Sequence, residues 1–439
     1  MMSENKPQNQ KNLFNPLLKE FINPEHELVK LSGRINWTAY ENEFQELYSH
    51  TGRPAKTVRL MVSFLLLKRL YNLSDEKVVE AWVQNPYFQY FSGMAEFQWN
   101  PLIDPSELVH FRKRIGEKGA EFILKQSIEL HGASEDKYVV IDTTAQEKNI
   151  TFPTDSKLRI KIINQCRDIA NKHQVPLRQS YVRVVKQLKQ EQRFGHHPRR
   201  RKKANNARKK LKTIAGRLVR ELRRKLPEEL QEQYERKLKL FEKVLEQKRE
   251  DKNKIYSLHE PEVACIAKGK AHKPYEFGSK VSFALSPSKG IILGAVNFTG
   301  NPHDSKTVEQ TLENMKVVAE LEPKEAYGDR GYRGKKKIGK TEIITPRPGK
   351  TTYQKRKLKK RFGERTGIEP IIGHIKHDHR MVRNYLKGVI GDQMNAILAA
   401  AGFNYRKMLN QIKEEIYFFI LKLIQWMRIY LQNLLTWSS

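Results

Sequence analysis

The sequence predicts an α/β catalytic domain that follows a helical N-terminal domain and is interrupted by a long basic α-helical insertion. Three observations carry this reading. Residues 35–132 repeat apolar positions at helical spacing. Short apolar, β-prone runs occur at 138–141, 278–298, 325–329 and 342–346. Residues 155–255, between the first two runs, are polar, helical in composition and poor in glycine. With 439 residues the chain has room for two to four units of ordinary domain size.

Residues 1–34 are polar and are expected to be a flexible N-terminus. In the helical domain, 35–132, the run KTVRLMVSFLLLKRLY (56–71) has an apolar helical face, and Leu73–Gln84 forms a second helix broken at Pro86. Asp104 suits a helix cap, Pro105 the first helical position and Glu107 the reciprocal bond of a capping box. That helix carries His110, Arg112, Lys113 and Arg114. Two readings fit them: a DNA-recognition helix in the major groove, or a bundle with a solvated basic face.

The α/β domain is expected over 137–154 and 256–385. Tyr138-Val139-Val140-Ile141 reads as a strand buried on both faces and ending on Asp142. GSKVSFAL and IILGAVNF read as two strands around the turn Ser286–Gly290. Asp304–Leu321 is a predicted helix, with Val308, Leu312, Met315 and Val318 at its period. EAYGD ends a strand on Asp329, EIITP closes another with proline, and TGIEPIIGHIKHDHRM opens a helix near Glu369. Helices are expected over 386–439. In 416–437 the residues Lys422, Gln425, Arg428, Gln432 and Thr436 form a polar stripe, predicting an amphipathic helix for packing within the chain or for dimerisation. Two mid-segment charges argue against a membrane span.

Lys and Arg number 82 against 49 Asp and Glu, a formal charge of +33, so a nucleic-acid partner is expected ahead of an anionic membrane surface or a ribosomal neighbour. From His196 to Leu226 there are fourteen Lys or Arg and one acid, Glu221. The run Arg199, Arg200, Arg201, Lys202 and Lys203 suits phosphate-backbone contact without base specificity; a solvated helical hairpin is the alternative. Two cysteines exclude a disulfide framework or a cysteine zinc site and fit a reducing cytosol. The segment MMSENKPQNQ has no apolar signal core, so export is not expected.

Two aspartates thus end predicted strands and a glutamate opens a helix beyond them. If Asp142, Asp329 and Glu369 converge, their repulsion calls for a cation, and Mg²⁺ takes such oxygen ligands. Each acid also has a structural reading: Asp142 and Asp329 as turn residues, Glu369 as a surface acid at a helix start.

The segments VVIDTT, GNPHDSKTVEQTL (300–312), AYGDRGYRG (326–334) and GIEPIIGHIKHDHRMVRN resemble the DDE transposases of bacterial insertion sequences, closest to the IS5 and IS4 groups. That family carries the signature Tyr-x2-Arg-x3-Glu-x6-Lys. Phe362, Arg365, Glu369 and Lys376 stand at that spacing, with a phenylalanine ring in place of the tyrosine. The resemblance covers roughly 35–410 and implies a ribonuclease-H-like catalytic domain. It implies Asp142, Asp329 and Glu369 as catalytic residues and metal ligands, with Mg²⁺ as cofactor and Mn²⁺ as a substitute. Cleavage at terminal inverted repeats and strand transfer would follow, on double-stranded transposon ends and target DNA. A homodimer or larger assembly on DNA, no membrane, and a bacterial cytoplasmic, nucleoid-associated location are implied with it. A metal-dependent nuclease and a domesticated DNA-binding protein are the alternatives. Arg365 and Lys376 suit phosphate contact, with Arg365 expected in a loop because Pro370 disfavours helical geometry at Glu369. Arg330 and Arg333 would face DNA, with Gly328, Gly331 and Gly334 allowing close approach. Asp304 suits either a helix cap or catalysis, and Lys280 would point from its strand toward DNA. His374, His377 and His379 do not share one helix face, and no zinc site is expected of them.

Overall fold

The protein is described by a computed structural model over residues 16–48, 55–132, 136–248, 250–267, 273–346 and 351–437, with side chains of Lys357 and of 430–437 left aside. It divides into two units: Met1–Gln146 with Lys280–Phe298 and Pro302–Ser439, and Glu147–Ser279 with Thr299–Asn301.

The first unit opens with helices α1 (Leu18–Phe21), α2 (Glu27–Arg34), α3 (Trp37–Gln45), α4 (Val58–Leu70), α5 (Asp75–Gln84), α6 (Pro86–Phe91) and α7 (Pro105–Glu129). Local chemistry starts most of them. Thr57, Ser74 and Asn85 accept the free amides at the heads of α4, α5 and α6. Asp104 and Glu107 close a capping box on α7, with Pro105 in its first turn. Arg112 of α7 turns inward and grips Asp75 through two bonds of 2.9 and 2.7 Å, so it is unavailable to a groove. His110, Lys113 and Arg114 remain exposed. The chain then enters β1 (Tyr138–Lys148), with Val139, Val140 and Ile141 fully buried.

The second unit holds α8 (Asp155–Lys172), α9 (Val182–Glu191), α10 (Pro198–Lys225), α11 (Glu228–Glu246) and β2 (Ala264–Ala267). Its core is its own, built from residues such as Ile162, Cys166, Leu211, Leu218 and Phe241. On α10, Ala204, Ala207, Leu211, Ile214, Ala215, Leu218 and Leu222 recur at three- and four-residue steps and are buried, which leaves the basic residues on the outer face. The strand β3 (Tyr275–Ser286) starts here, where its residues 275–278 pair with β2 antiparallel.

From Lys280 the chain is again in the first unit. There β3 pairs antiparallel with β4 (Ile291–Phe298), with a register shift at Ala284/Leu285. A 3₁₀ turn (Asp304–Lys306), α12 (Val308–Ala319), β5 (Glu325–Tyr327), a second 3₁₀ turn (Arg330–Tyr332), β6 (Lys337–Ile338), β7 (Thr341–Ile344), α13 (Thr352–Thr366), α14 (Ile368–Asp378), β8 (Arg383–Asn384) and α15 (Gly388–Trp437) follow. Strand β1 pairs parallel with β5, and β5 parallel with β7. The helix α15 docks on β4, where the Asn404 side chain bonds both the amide and the carbonyl of Ile292 at 2.8 and 2.9 Å. The unit is therefore a mixed sheet flanked by helices.

One hydrophobic core runs from Leu28 of α2 through α4, α7, β1 and β4 to Ile412 of α15. The helices of 35–132, the strands and the first part of α15 share that core and lie in one unit. Residues 147–154 and 256–279 belong to the second unit. The expected flexible stretch is helical from Leu18, with Leu18, Leu28 and Leu31 buried; its first fifteen residues lie outside the described residues. The C-terminal region is one helix. From Tyr417 to Ile429 its side chains are exposed all round, so that part does not pack within the unit; Gln432 and Thr436 lie outside the described side chains.

Candidate active site

Parallel pairing of β1 and β5 builds the site. Val140 faces Tyr327 in register. Two residues further along each chain come Asp142 and Asp329, and a step of two returns a strand side chain to the same face. Asp142 does not end its strand, because β1 continues to Lys148. Its Oδ1 accepts the Thr143 amide at 2.8 Å. Asp329 lies two residues beyond β5 and caps the 3₁₀ turn through the Gly331 amide at 2.8 Å.

A third aspartate joins them. The Thr143 hydroxyl donates to Asp304 Oδ1 at 2.7 Å, and the Lys280 ammonium donates to the same oxygen at 2.9 Å. His303 caps the short turn there, which corrects the capping role allowed to Asp304. Lys280, 13% exposed and bonded also to the Pro302 carbonyl, is spent inside the site and does not reach out for DNA. Gly331 separates two of the acids: a Cβ there would come within 2.7 Å of Asp304 Oδ2 and 3.0 Å of Asp329 Oδ1. At Gly328 a Cβ would strike the Tyr332 ring at 2.7 Å. These two glycines make room for the carboxylates and the tyrosine, a nearer reason than the approach of DNA. Tyr332 is buried, and among the described residues its hydroxyl makes no hydrogen bond of good geometry, although the Thr143 side chain lies close enough to act on it. Burial first, then the charges of Asp142, Asp304 and Asp329, hold that hydroxyl far above its ordinary pKa.

Arg365 brings in the glutamate. It lies in the last turn of α13, with Nη1 3.8 Å from Asp142 Oδ2 and Nη2 3.9 Å from Glu369 Oε1. The expected loop at Arg365 is a helix. Pro370 falls in the first turn of α14, where its missing amide has no intrahelical partner to lose. Phe362, one turn before, meets the Tyr327 ring edge-on at 5.6 Å between centroids. Glu369 itself is 67% exposed and meets Asp142 only through Arg365. Burial pushes the Asp142 carboxyl up to about 6; the Thr143 amide and Arg365 pull it down, and Asp329 and Asp304 add to the rise.

The donors are all carboxylate oxygens, the set a hard divalent ion takes, and Gly331 leaves room beside two of them, Asp304 Oδ2 and Asp329 Oδ1. The set fits such an ion in kind. As placed, however, no three His, Cys, Asp or Glu side chains among the described residues stand together closely enough to hold a metal. Cationic side chains, Lys280 on Asp304 and Arg365 on Asp142 and Glu369, balance the acids instead.

Arg330 is exposed, and Arg333 is exposed with one nitrogen 3.4 Å from the Pro346 carbonyl. Lys376 is half-buried on α14. Arg199 to Lys203 are exposed at the head of α10, in the second unit. His374 bonds Asp378 at 2.8 Å, while His379 is buried against the Arg69 carbonyl, so the histidines form no cluster. Sequence reasoning undervalued Asp304 and Lys280 and missed Thr143 and Tyr332 as parts of the site. A His-Asp pair inside a family-like segment was the one available signal.

One aspartate on β1 and another just beyond the adjacent parallel strand β5, in a chain this basic, point to the class of enzymes that transfer phosphoryl groups. Comparison with known proteins gives the family. Residues 16–114 match the family described as "Transposase domain (DUF772)", and residues 243–404 match "Transposase DDE domain". Asp329 and Glu369 fall inside the second match and Asp142 between the two. The chain is 42% identical over 203 residues to "Uncharacterized protein ORF8 in nfe locus" of Rhizobium meliloti, covering 44% of this chain and 98% of that protein. No solved structure matches it significantly. The chain belongs to the DDE transposases, enzymes that act on DNA by phosphoryl transfer with divalent metal ions, and that family implies a ribonuclease-H-like fold. No helix among the described residues is long and apolar enough to cross a membrane.

Proposed function

We propose that this transposase, of the IS5/IS4-like group, cuts DNA at the terminal inverted repeats of an insertion sequence and joins the ends to target DNA, with Asp142, Asp329 and Glu369 as its catalytic triad. The observation that carries the reading is the register of β1 on β5, which brings Asp142 and Asp329 onto one face beside Arg365. Asp142, Asp329 and, after turning inward, Glu369 would hold Mg²⁺, with Mn²⁺ as a substitute. Bound there, the ions would activate the attacking hydroxyl and stabilise the leaving oxygen. Arg365 can exchange its carboxylates for the non-bridging oxygens of a phosphodiester, a forked pairing that also fixes the scissile group in line. Lys376, Arg330 and Arg333 would take flanking phosphates as charges.

Backbone contact would fall to α10. Its first turns carry Arg199, Arg200, Arg201, Lys202 and Lys203 at the positive end of the helix dipole, where cations are unfavourable without an anion. The exposed His110, Lys113 and Arg114 of α7 are candidates for reading the element ends. Two ends need two active sites, so a homodimer or larger assembly on DNA is proposed, with the exposed apolar stretch Tyr417–Ile429 as a candidate surface for it. Such substrates place the enzyme in the bacterial cytoplasm, at the nucleoid.

A strand-transfer assay with pre-cleaved ends tests the proposal. Joined products are expected with Mg²⁺ or Mn²⁺. Hydrolysed ends that never join would reduce the activity to that of a nuclease.

A further inference from the structure

We infer that the outer face of α13 is a track for the phosphate backbone of the DNA strand that enters the acidic site. This rests on the reading of that site as the place of cleavage. Between Lys355 and Arg365 the helix has seven Lys or Arg against one acid, Glu364. They divide by face. Arg361 lies on the Tyr138 ring at 3.5 Å and pairs with Glu364 at 3.1 Å, while Glu364 accepts the Tyr138 hydroxyl at 2.7 Å. Arg365 reaches Asp142. These inward contacts lock the helix onto β1 beside the acids.

The other face is different. Lys355, Arg356, Lys359 and Lys360 are exposed and make no ion pair among the described residues. They stand as two like-charged i,i+4 pairs, 355 with 359 and 356 with 360, an arrangement that weakens a helix unless an anion lies across it. Gly363 continues the same face one turn after Lys359. It is exposed, and a Cβ there would meet nothing within 4 Å. Glycine inside a helix is worse than alanine, and the fold supplies no steric reason for it here. Close passage of another molecule's backbone does. From Lys355 to Gly363 this outer face advances about 12 Å. A DNA strand sets one phosphate per roughly 3.4 Å of axis, so about three to four phosphates lie along it, within reach of its four exposed cations.

The test is fluorescence anisotropy of the full chain with a labelled 30-base-pair duplex in EDTA, across a KCl series. Replacing Lys355, Arg356, Lys359 and Lys360 together by Gln is expected to lower the salt slope by about 3–4. Gly363→Ala is expected to raise the melting temperature and yet weaken binding several-fold, a combination that misfolding cannot mimic. An unchanged slope in the first variant, or a Gly363→Ala protein that melts higher and binds like wild type, overturns the track. Neither result touches the acidic site: if Asp329→Asn still abolishes cutting, the catalytic reading stands without the track. If Asp329→Asn cuts normally, that reading fails, and the slopes still decide on the track.

Discussion

The acidic site of the first unit and the basic helix of the second use charge in opposite ways. Asp142, Asp304 and Asp329 are few, recessed and individually bonded, to backbone amides, the Thr143 hydroxyl, the Lys280 ammonium and the Arg365 guanidinium. The cations of α10 are many and lie on an exposed face, with one loose pair, Lys203 to Glu191 at 3.8 Å, near its head. Position matters in the first region and number in the second. A recessed carboxylate near like charges is sensitive to its geometry, because desolvation strengthens every interaction around it. A solvated row of Lys and Arg acts on a polyanion roughly as a sum.

The sharpest way to break this contrast is one substitution on the acidic side. Asp329→Asn should cut DNA at least about 10³-fold more slowly while its affinity for duplex, measured in EDTA, stays close to that of wild type. Cutting at the wild-type rate would remove Asp329 from the chemistry.

Next comes the independence of the second unit's core. Leu218→Ala, in the fully buried α10 face, should lower the stability of that unit by about 2–5 kcal/mol. Hydrogen exchange should then rise across α8, α10 and α11 and leave β1, β4 and α15 protected. A uniform rise over the whole chain would show that the two cores melt as one.

On the basic side, single changes should be nearly silent. Replacing Arg199 to Lys203 together by Gln should lower the slope of log affinity against log salt by about 4, and each single replacement by about one. A single residue that accounts for most of the loss would make α10 a geometric site like the first one.

Local signals made much of the fold legible. The capping box at Asp104 and Glu107, the proline at the head of α7, and the apolar runs of β1, β4 and β7 are contained in a few consecutive residues. Asp142, Asp329 and Glu369 were visible as candidates for the same reason. What was hidden is non-local. No spacing reports that Val140 lies against Tyr327, that Asp304 bonds Thr143 and Lys280, or that Tyr332 folds beneath them over Gly328. The single core of the first unit was hidden too, since a buried helix face does not name its partner. Pro370 misled because its helix-breaking effect depends on position, and the first turn of α14 tolerates it.

The smallest expected effect bears on the repulsion itself. An isolated Asp carboxyl titrates near 3.8, whereas burial and the neighbouring aspartates hold Asp142 near about 6. In metal-free protein the folded chain therefore keeps a proton over the interval where the unfolded chain has released it. Stability should fall as pH rises from about 4 to about 6 and then level off, by up to about 3 kcal/mol. Asp142→Asn has no carboxylate to ionise, so in EDTA at pH 8 it should melt above wild type, with the gap closing by about pH 4. Mn²⁺ should raise the wild-type melting temperature more than that of the variant, because only wild type has the full set of repelling charges to relieve. Parallel melting curves for the two proteins across that pH range would mean that Arg365 and the Thr143 amide already neutralise the site, and that its acids are balanced as completely as a structural ion pair.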